Sequence, residues 1–285
     1  MEMIKTRLYG AMLGDMIGAP YEFFGNPKRK DMNLFDEEKW IRLTDDSYMT
    51  LAVAKALISV KKPLLNFQGD TLEKKTKKAL ITCMQDIGNR YDSSYGTAFK
   101  YWLHQDDPQP YGSYGNGSAM RVSAVGWLYD TIEETRKVAK WTAEISHGHP
   151  EGIKGAEAIA SVIYLSRIGK SKEEILRYIL DNFDYDLSKT VDKIRPTYQY
   201  NDICQATVPE AIICFLESVD FEDAIRNAMS LGGDADTLTC ITGSMAEAFY
   251  NGVPLYMKEE CDKRLEHELK EIVENFNKFL EKREK

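Results

Sequence analysis

Nothing in this 285-residue sequence approaches the roughly 18 consecutive apolar residues that a membrane-spanning helix requires. A basic excess is missing as well: 45 acidic against 37 basic residues leave a net charge of -8. Nucleic acid and anionic membrane surfaces both call for a basic face, so neither is an expected partner. Cysteine is sparse and unpatterned; Cys83, Cys204, Cys214, Cys240 and Cys261 are odd in number, far apart, and show no Cys-x-x-Cys or Cys/His ligand spacing. These read as reduced, mostly buried thiols of a cytoplasmic protein. The opening Met1-Glu2-Met3-Ile4-Lys5, with Asp15 interrupting the nearby apolar segment, does not fit a signal peptide. Alternating strands of useful length, fixed-period repeats, low-complexity tracts and linkers are all lacking, and together these absences favour one all-α domain over residues 1–285.

What is present is helical punctuation. Ile4, Leu8, Met12 and Ile17, with Gly10, Ala11 and Gly14 between them, predict a close-packed helix over about 3–17 that ends at Gly18-Ala19-Pro20. Thr131-Ile132-Glu133-Glu134 and Ser171-Lys172-Glu173-Glu174 are capping boxes, each opening an apolar-periodic run. The small residues Gly152, Gly155, Ala156, Ala158, Ala160 and Ser161 suit a helix with close neighbours. Further helices are expected over about 203–217, 221–229 and 262–283, the last with Leu265, Leu269, Ile272, Val273, Phe276, Phe279 and Leu280 on one face.

Three short stretches carry carboxylates that are candidate ligands, and in the second of them the acids exceed what helix capping needs. In Ser230-Leu231-Gly232-Gly233-Asp234-Ala235-Asp236-Thr237, two glycines allow a tight backbone path just before a buried-helix pattern. On a continuous helix Asp234 and Asp236 would stand about 200° apart, so both reach one centre only if Asp234 precedes the first turn. Leu43-Thr44-Asp45-Asp46-Ser47 places two adjacent acids and flanking hydroxyls before an Ala-rich helix. Glu22 follows Pro20 and stands among Tyr21, Phe23 and Phe24. Each stretch is open to a plainer reading, as a turn with an N-cap or as a surface acid whose stem packs on rings. The polar segment from about 25 to 40 reads as a long loop.

If Glu22, Asp45, Asp46, Asp234 and Asp236 converge, about five negative charges would share a few ångströms, and two divalent cations would offset about four of them. Oxygen-only donors, the hydroxyls of Thr44 and Thr237 included, select hard ions: Mg²⁺ or Mn²⁺, with Ca²⁺ possible. Such a pair of ions assists hydrolysis. A separate glycine-rich turn, Tyr111-Gly112-Ser113-Tyr114-Gly115-Asn116-Gly117-Ser118-Ala119-Met120-Arg121, can offer backbone N–H groups to phosphate and rings to a base or sugar. Most such turns are only turns. His147 and His149, two residues apart before Pro150, lack the third ligand of a zinc site.

Taken in order, Gly10-Ala11-Met12-Leu13-Gly14-Asp15-Met16-Ile17-Gly18-Ala19-Pro20-Tyr21-Glu22, Thr44-Asp45-Asp46-Ser47, Tyr114 to Arg121, and Gly232-Gly233-Asp234-Ala235-Asp236-Thr237 resemble the motifs of the ADP-ribosylglycohydrolase family, which includes the dinitrogenase reductase activating glycohydrolase. The resemblance runs from about residue 7 to about residue 254, with every block in family order. It implies a compact orthogonal multi-helix bundle with a dinuclear Mg²⁺ or Mn²⁺ centre. On matching positions the ligands would be Glu22, Thr44, Asp45, Asp46, Asp234, Asp236 and Thr237; Asp236, lying between Asp234 and Thr237, is the one expected to bridge both ions. Gly115, Asn116, Gly117 and Ser118 would hold ADP-ribose, Tyr114 would lie against its nucleotide portion, and His147 would face the substrate. The loop between Glu22 and Thr44 would form a flexible cover. Two departures stand out: Ser47 replaces a frequent Thr, and Ser123-Ala124 stands where many relatives carry Pro.

The expected chemistry is hydrolysis of the glycosidic bond joining ADP-ribose to an acceptor, on an ADP-ribosylated protein or a small ADP-ribosyl substrate; the sequence leaves the oligomeric state open and is compatible with a monomer. Glu22 is the candidate acid/base, with Asp45 and Asp236 completing the catalytic set. The alternatives are a non-catalytic ADP-ribose- or nucleotide-binding protein and a metal-dependent hydrolase of free nucleotides.

Overall fold

The computed structural model describes residues 2–22, 28–35, 40–61, 70–91 and 93–284, and nearly all of its regular structure is helical. In chain order the helices are α1 (Tyr9–Gly18), α2 (Asp45–Lys61), α3 (Asp70–Arg90), α4 (Thr97–Leu103), α5 (Gly117–Met120), α6 (Ser123–Leu128), α7 (Ile132–Glu144) and α8 (Pro150–Arg167). They continue as α9 (Lys172–Phe183), α10 (Val191–Ile194), α11 (Cys204–Glu217), α12 (Phe221–Leu231), α13 (Ala235–Phe249), α14 (Leu255–Asp262) and α15 (His267–Glu284). A 3₁₀ turn, Ala19–Tyr21, extends α1. Strands β1 (Met3–Ile4) and β2 (Val253–Pro254) form one short antiparallel pair, Met3 opposite Pro254 and Ile4 opposite Val253. The all-α expectation is met.

Helices α1 and α13 are the central pair. All residues of α1 are buried, and so are those of α13 as far as Ala248, as expected for helices enclosed on every side. Their contact is made by glycine. A Cβ on Gly10 would stand 2.2 Å from Gly243 O, one on Gly14 2.1 Å from Thr239 O, and one on Gly18 2.4 Å from Asp236 Cα. Any side chain there would hold the backbones apart. Glu247 on α13 fixes the register from the far end: its carboxylate accepts from Thr6 Oγ1 at 2.6 Å, Gly10 N at 2.9 Å and Tyr9 N at 3.2 Å. Those two amides are orphan donors of the first turn of α1, so a residue far along the chain caps the helix. Helices α8, α11 and α12 surround α13, α2 pairs with α3, and α15 covers α2.

The structure shifts several predicted boundaries. The first helix starts at Tyr9, not near residue 3, because Leu8 is left-handed at φ 74° and the preceding residues leave for β1. The expected 262–283 helix is broken: α14 ends at Asp262, a turn carries Lys263 to Glu266, and α15 starts at His267. Buried Leu265 sits in that turn, so its spacing to Leu269 spans two elements. The Ser171 capping box is complete, with both reciprocal bonds. At Thr131 the recorded bond is the forward one, from Glu134 N to the threonine side chain.

Candidate functional site

The two glycines before α13 build one wall. Gly232 and Gly233 both have positive φ, 68° and 74°, a backbone that L side chains rarely adopt. They turn the chain so that Asp234 stands at the N-cap with φ -75° and ψ 73°, outside the helix, while Asp236 lies in the first turn. Asp234 therefore precedes the helix, as convergence of the two acids requires. Its carboxylate does not cap α13; it accepts from Asn116 Nδ2 at 2.6 Å.

The other walls arrive from remote segments. Gly18 on Asp236 brings the end of α1 over the start of α13, and Glu22 follows one turn later. Carboxylate oxygens of Glu22, Asp234 and Asp236 lie within 4.8 Å of one another, and so do those of Asp15, Asp46 and Asp236. Asp236 belongs to both groups. Asp46 also accepts from Thr237 Oγ1 at 3.2 Å. Asp45 lies at the α2 start, half-buried, with Ser93 Oγ 3.4 Å from its Oδ1.

Asp15 was not among the expected site residues. It is wholly buried on α1 and accepts from Thr44 N at 2.8 Å, Thr44 Oγ1 at 2.6 Å and Ser47 N at 3.1 Å, and from Ser47 Oγ. It thus holds the whole Thr44-to-Ser47 turn in place. Ser47, the departure from the commoner Thr, keeps the hydroxyl this bond needs. A carboxylate inside an otherwise apolar and small-residue helix was the signal available in the sequence.

Above the acids opens a cleft of about 310 Å³. Gly115, Asn116, Gly117 and His147 line it, together with Phe99, Tyr111, Arg121, Tyr200 and Asp202. The glycine turn is anchored to the start of α11 by Asn116 N on Asp202 O at 2.8 Å and Cys204 N on Tyr114 O at 2.9 Å. That anchoring delivers Tyr200 and Asp202, which no sequence pattern marked. One of the expected substrate contacts turns its side chain inward, and another stands at the surface. Ser118 Oγ donates to Gly152 O at 2.8 Å inside the protein, and Tyr114 is half-exposed with its ring edge-on to His149 at 5.3 Å. Of the cover between Glu22 and Thr44, residues 23–27 and 36–39, Phe23 and Phe24 included, lie outside the described residues. The described part is tied down: Arg226 Nη1 donates to Lys30 O at 2.8 Å and Met32 O at 2.5 Å, and Lys28 Nζ donates to Tyr198 O at 2.8 Å.

The electrostatics of the cluster are unbalanced. Among the described residues no lysine or arginine forms an ion pair with Asp15, Glu22, Asp45, Asp46, Asp234 or Asp236. Burial pushes the Asp15 and Asp234 carboxyls up to about 6. Glu22 rises to about 8, through burial first and then the charges of Asp234 and Asp45. Burial also raises Asp45, and it raises Asp46 and Asp236 far above the ordinary range, with neighbouring carboxylates adding to it. Asp46 Oδ1 is buried without a hydrogen-bond partner among the described residues. An orphaned acceptor in an all-oxygen cluster short of positive charge fits a hard divalent cation. These acidic groups could hold metal ions.

Comparison with known proteins shows the family. The family model for ADP-ribosylglycohydrolase matches residues 2–285, and the chain belongs to that family. ADP-ribosylhydrolase ARH3 of Homo sapiens is 25% identical over 325 residues, covering 90% of this chain and 88% of that protein. ADP-ribosylarginine hydrolase Tri1 of Pseudomonas putida (strain GB-1) is 25% identical over 281 residues, covering 89% of this chain and 72% of its own length. A solved structure described as an ADP-ribosylglycohydrolase-related protein complex superposes with a TM-score of 0.64 over 93% of both chains at 20% identity, a likeness of fold. No helix among the described residues is long and apolar enough to cross a membrane.

Proposed function

We propose that this chain is, as one domain, a divalent-cation-dependent hydrolase that cleaves the glycosidic bond between ADP-ribose and an acceptor on a protein side chain or small molecule. The observation that carries the reading is Asp236, whose carboxylate closes two acidic groups at once beneath a cleft walled by the glycine turn. Glu22, Thr44, Asp45, Asp46, Asp234, Asp236 and Thr237 would hold two cations, Mg²⁺ or Mn²⁺. When bound, the cations supply the positive charge that lets these acids ionise together, and Lewis acidity toward hydroxyls and water. Gly115, Asn116 and Gly117 bind and orient the ADP-ribosyl group, with His147 facing it. Glu22, which joins the cluster from a separate segment, moves the proton at the reacting bond. Five free cysteines accord with a cytoplasmic protein.

The test is release of ADP-ribose from ADP-ribosyl-arginine and ADP-ribosyl-serine peptides, with Mg²⁺, with Mn²⁺ and with EDTA. Release with either cation and none in EDTA is expected, as is loss of both release and cation binding in Asp236→Ala. Full activity of that variant would remove the two-cation reading. Binding of ADP-ribose without release would leave a binding protein, and turnover of free nucleotides alone would leave a nucleotide hydrolase.

A further inference from the structure

His147 follows α7 and is nearly enclosed, its ring tilted between Phe99 and Tyr111 with centroids 6.4 and 5.7 Å away. Nε2 faces the glycine turn: a Cβ on Gly117 would stand 3.0 Å from it, and one on Gly115 3.6 Å. Nδ1 faces inward, 2.8 Å from Ser146 Oγ. Ser146 Oγ in turn accepts from Arg121 Nη2 at 2.7 Å, and the same Nη2 donates to Thr142 O at 2.9 Å.

One proton arrangement satisfies the Ser146 hydroxyl as both donor and acceptor. A guanidinium only donates, so Arg121 occupies one lone pair of the Ser146 oxygen and cannot receive its hydrogen. Ser146 is wholly buried, and among the described residues His147 Nδ1 is the other polar atom in reach of its hydroxyl. If Nδ1 carried the imidazole proton, the Ser146 hydrogen would be a buried donor without an acceptor, which is costly. With Ser146 donating to Nδ1, its hydroxyl is paired both as donor and as acceptor, and the imidazole proton sits on Nε2.

We propose that Ser146 is a positioning residue: turned by Arg121, its hydroxyl holds His147 as the Nε2–H tautomer, so that the ring offers a donor to a ligand oxygen lying over Gly115 to Gly117. The ligand part of this assignment rests on reading the cleft as an ADP-ribose site. Burial and the Arg121 charge both push His147 well below its ordinary range, which keeps the ring neutral and the tautomer meaningful at neutral pH.

The test is the imidazole tautomer of His147 in the full-length protein, read from long-range proton–nitrogen correlations with ¹⁵N-histidine labelling. The four histidines are few enough to assign by single substitution. Wild type is expected to show protonated Nε2, Ser146→Thr to keep it, and Ser146→Ala to show a mixture or the Nδ1–H form. Free ADP-ribose, titrated by calorimetry, is expected to bind up to about tenfold more weakly to Ser146→Ala, the loss of one well-oriented hydrogen bond. Protonated Nδ1 in wild type, or an unchanged tautomer in Ser146→Ala, overturns the assignment. The tautomer needs no turnover and no bound nucleotide, so failure of the hydrolase reading alone leaves this result standing.

Discussion

Asn116 Nδ2 donates to Asp234 Oδ2 across 2.6 Å, and Asn116 Nδ2 also lies 3.1 Å from Thr207 Oγ1. One amide therefore ties the glycine turn to the acidic start of α13. Because its acceptor is a buried carboxylate, Asn116→Ala should cost about 1.5–3 kcal/mol of stability, measured by chemical denaturation in EDTA. Asn116→Asp, which sets a second acid against Asp234, should cost more without cations and recover most of the loss in Mn²⁺. A variant as stable as wild type in EDTA would mean the two walls are held together by something else.

How the sequence foretold this site depends on distance along the chain. The offset of Asp234 from Asp236 follows from helical periodicity and two adjacent glycines, both local. So does the crowding of acids at Asp45 and Asp46. Asp15 escaped because its partners stand 29 and 32 residues on, and an acid in an apolar helix does not announce which amides it will meet. The same holds for the start of α1, set by Glu247 some 240 residues away. Tyr200 and Asp202 lie in a stretch without periodicity and reach the cleft only through pairing beside Gly115. The Ser118 contact is carried over from the family motif, which does not say that its hydroxyl turns inward to Gly152.

Asp15 makes a test of positioning at a distance from the cleft. Asp15→Asn replaces an acceptor for four donors with an amide that must turn two of its own hydrogens toward them. The Thr44-to-Ser47 turn should loosen, taking Asp45 and Asp46 with it. Cation affinity, measured by calorimetry with Mn²⁺, should fall about 10- to 100-fold, the usual effect of losing a group that orients ligands. Unchanged affinity would show that α2 holds its acids without help from α1.

The raised carboxyls set the sign of the pH dependence. Unfolded, Asp15, Glu22, Asp234 and Glu247 titrate near 3.8 to 4.5; folded, they rise to about 6, 8, 6 and 7, burial being the first cause in each case. The folded state then binds more protons across that window, so stability is fullest below about pH 4 and is lost as pH rises toward 8. In EDTA the denaturation midpoint should fall between pH 5 and pH 8. Saturating Mn²⁺ at pH 8 should restore the share owed to the acidic cluster, while the share of Glu247, which caps α1 away from the cleft, should remain lost. Exposed pairs such as Asp86 with Lys55 act in the opposite sense, but they are weakened by solvent and salt. A midpoint that climbs with pH in EDTA would contradict this account.

Packing and chemistry meet at Gly14. Its missing Cβ would stand 2.1 Å from Thr239 O, 2.4 Å from Thr239 C and 2.6 Å from Cys240 N, all backbone atoms of α13. None can step aside, so Gly14→Ala must push α1 off α13, at a cost of about 1–3 kcal/mol or more. Gly18 rests on Asp236 along the same interface, and Asp15 and Glu22 both ride on α1 or its extension. Separation of the helices therefore moves two carboxylates away from Asp46, Asp234 and Asp236. Gly88→Ala is the comparison, since a Cβ there meets only the Leu103 side chain, at 2.7 Å, which can rotate. Gly14→Ala should lose stability and Mn²⁺ affinity together, and Gly88→Ala should lose some stability with affinity intact. If Gly14→Ala were destabilised yet bound Mn²⁺ as wild type does, the acidic cluster would not depend on the close approach of α1 to α13.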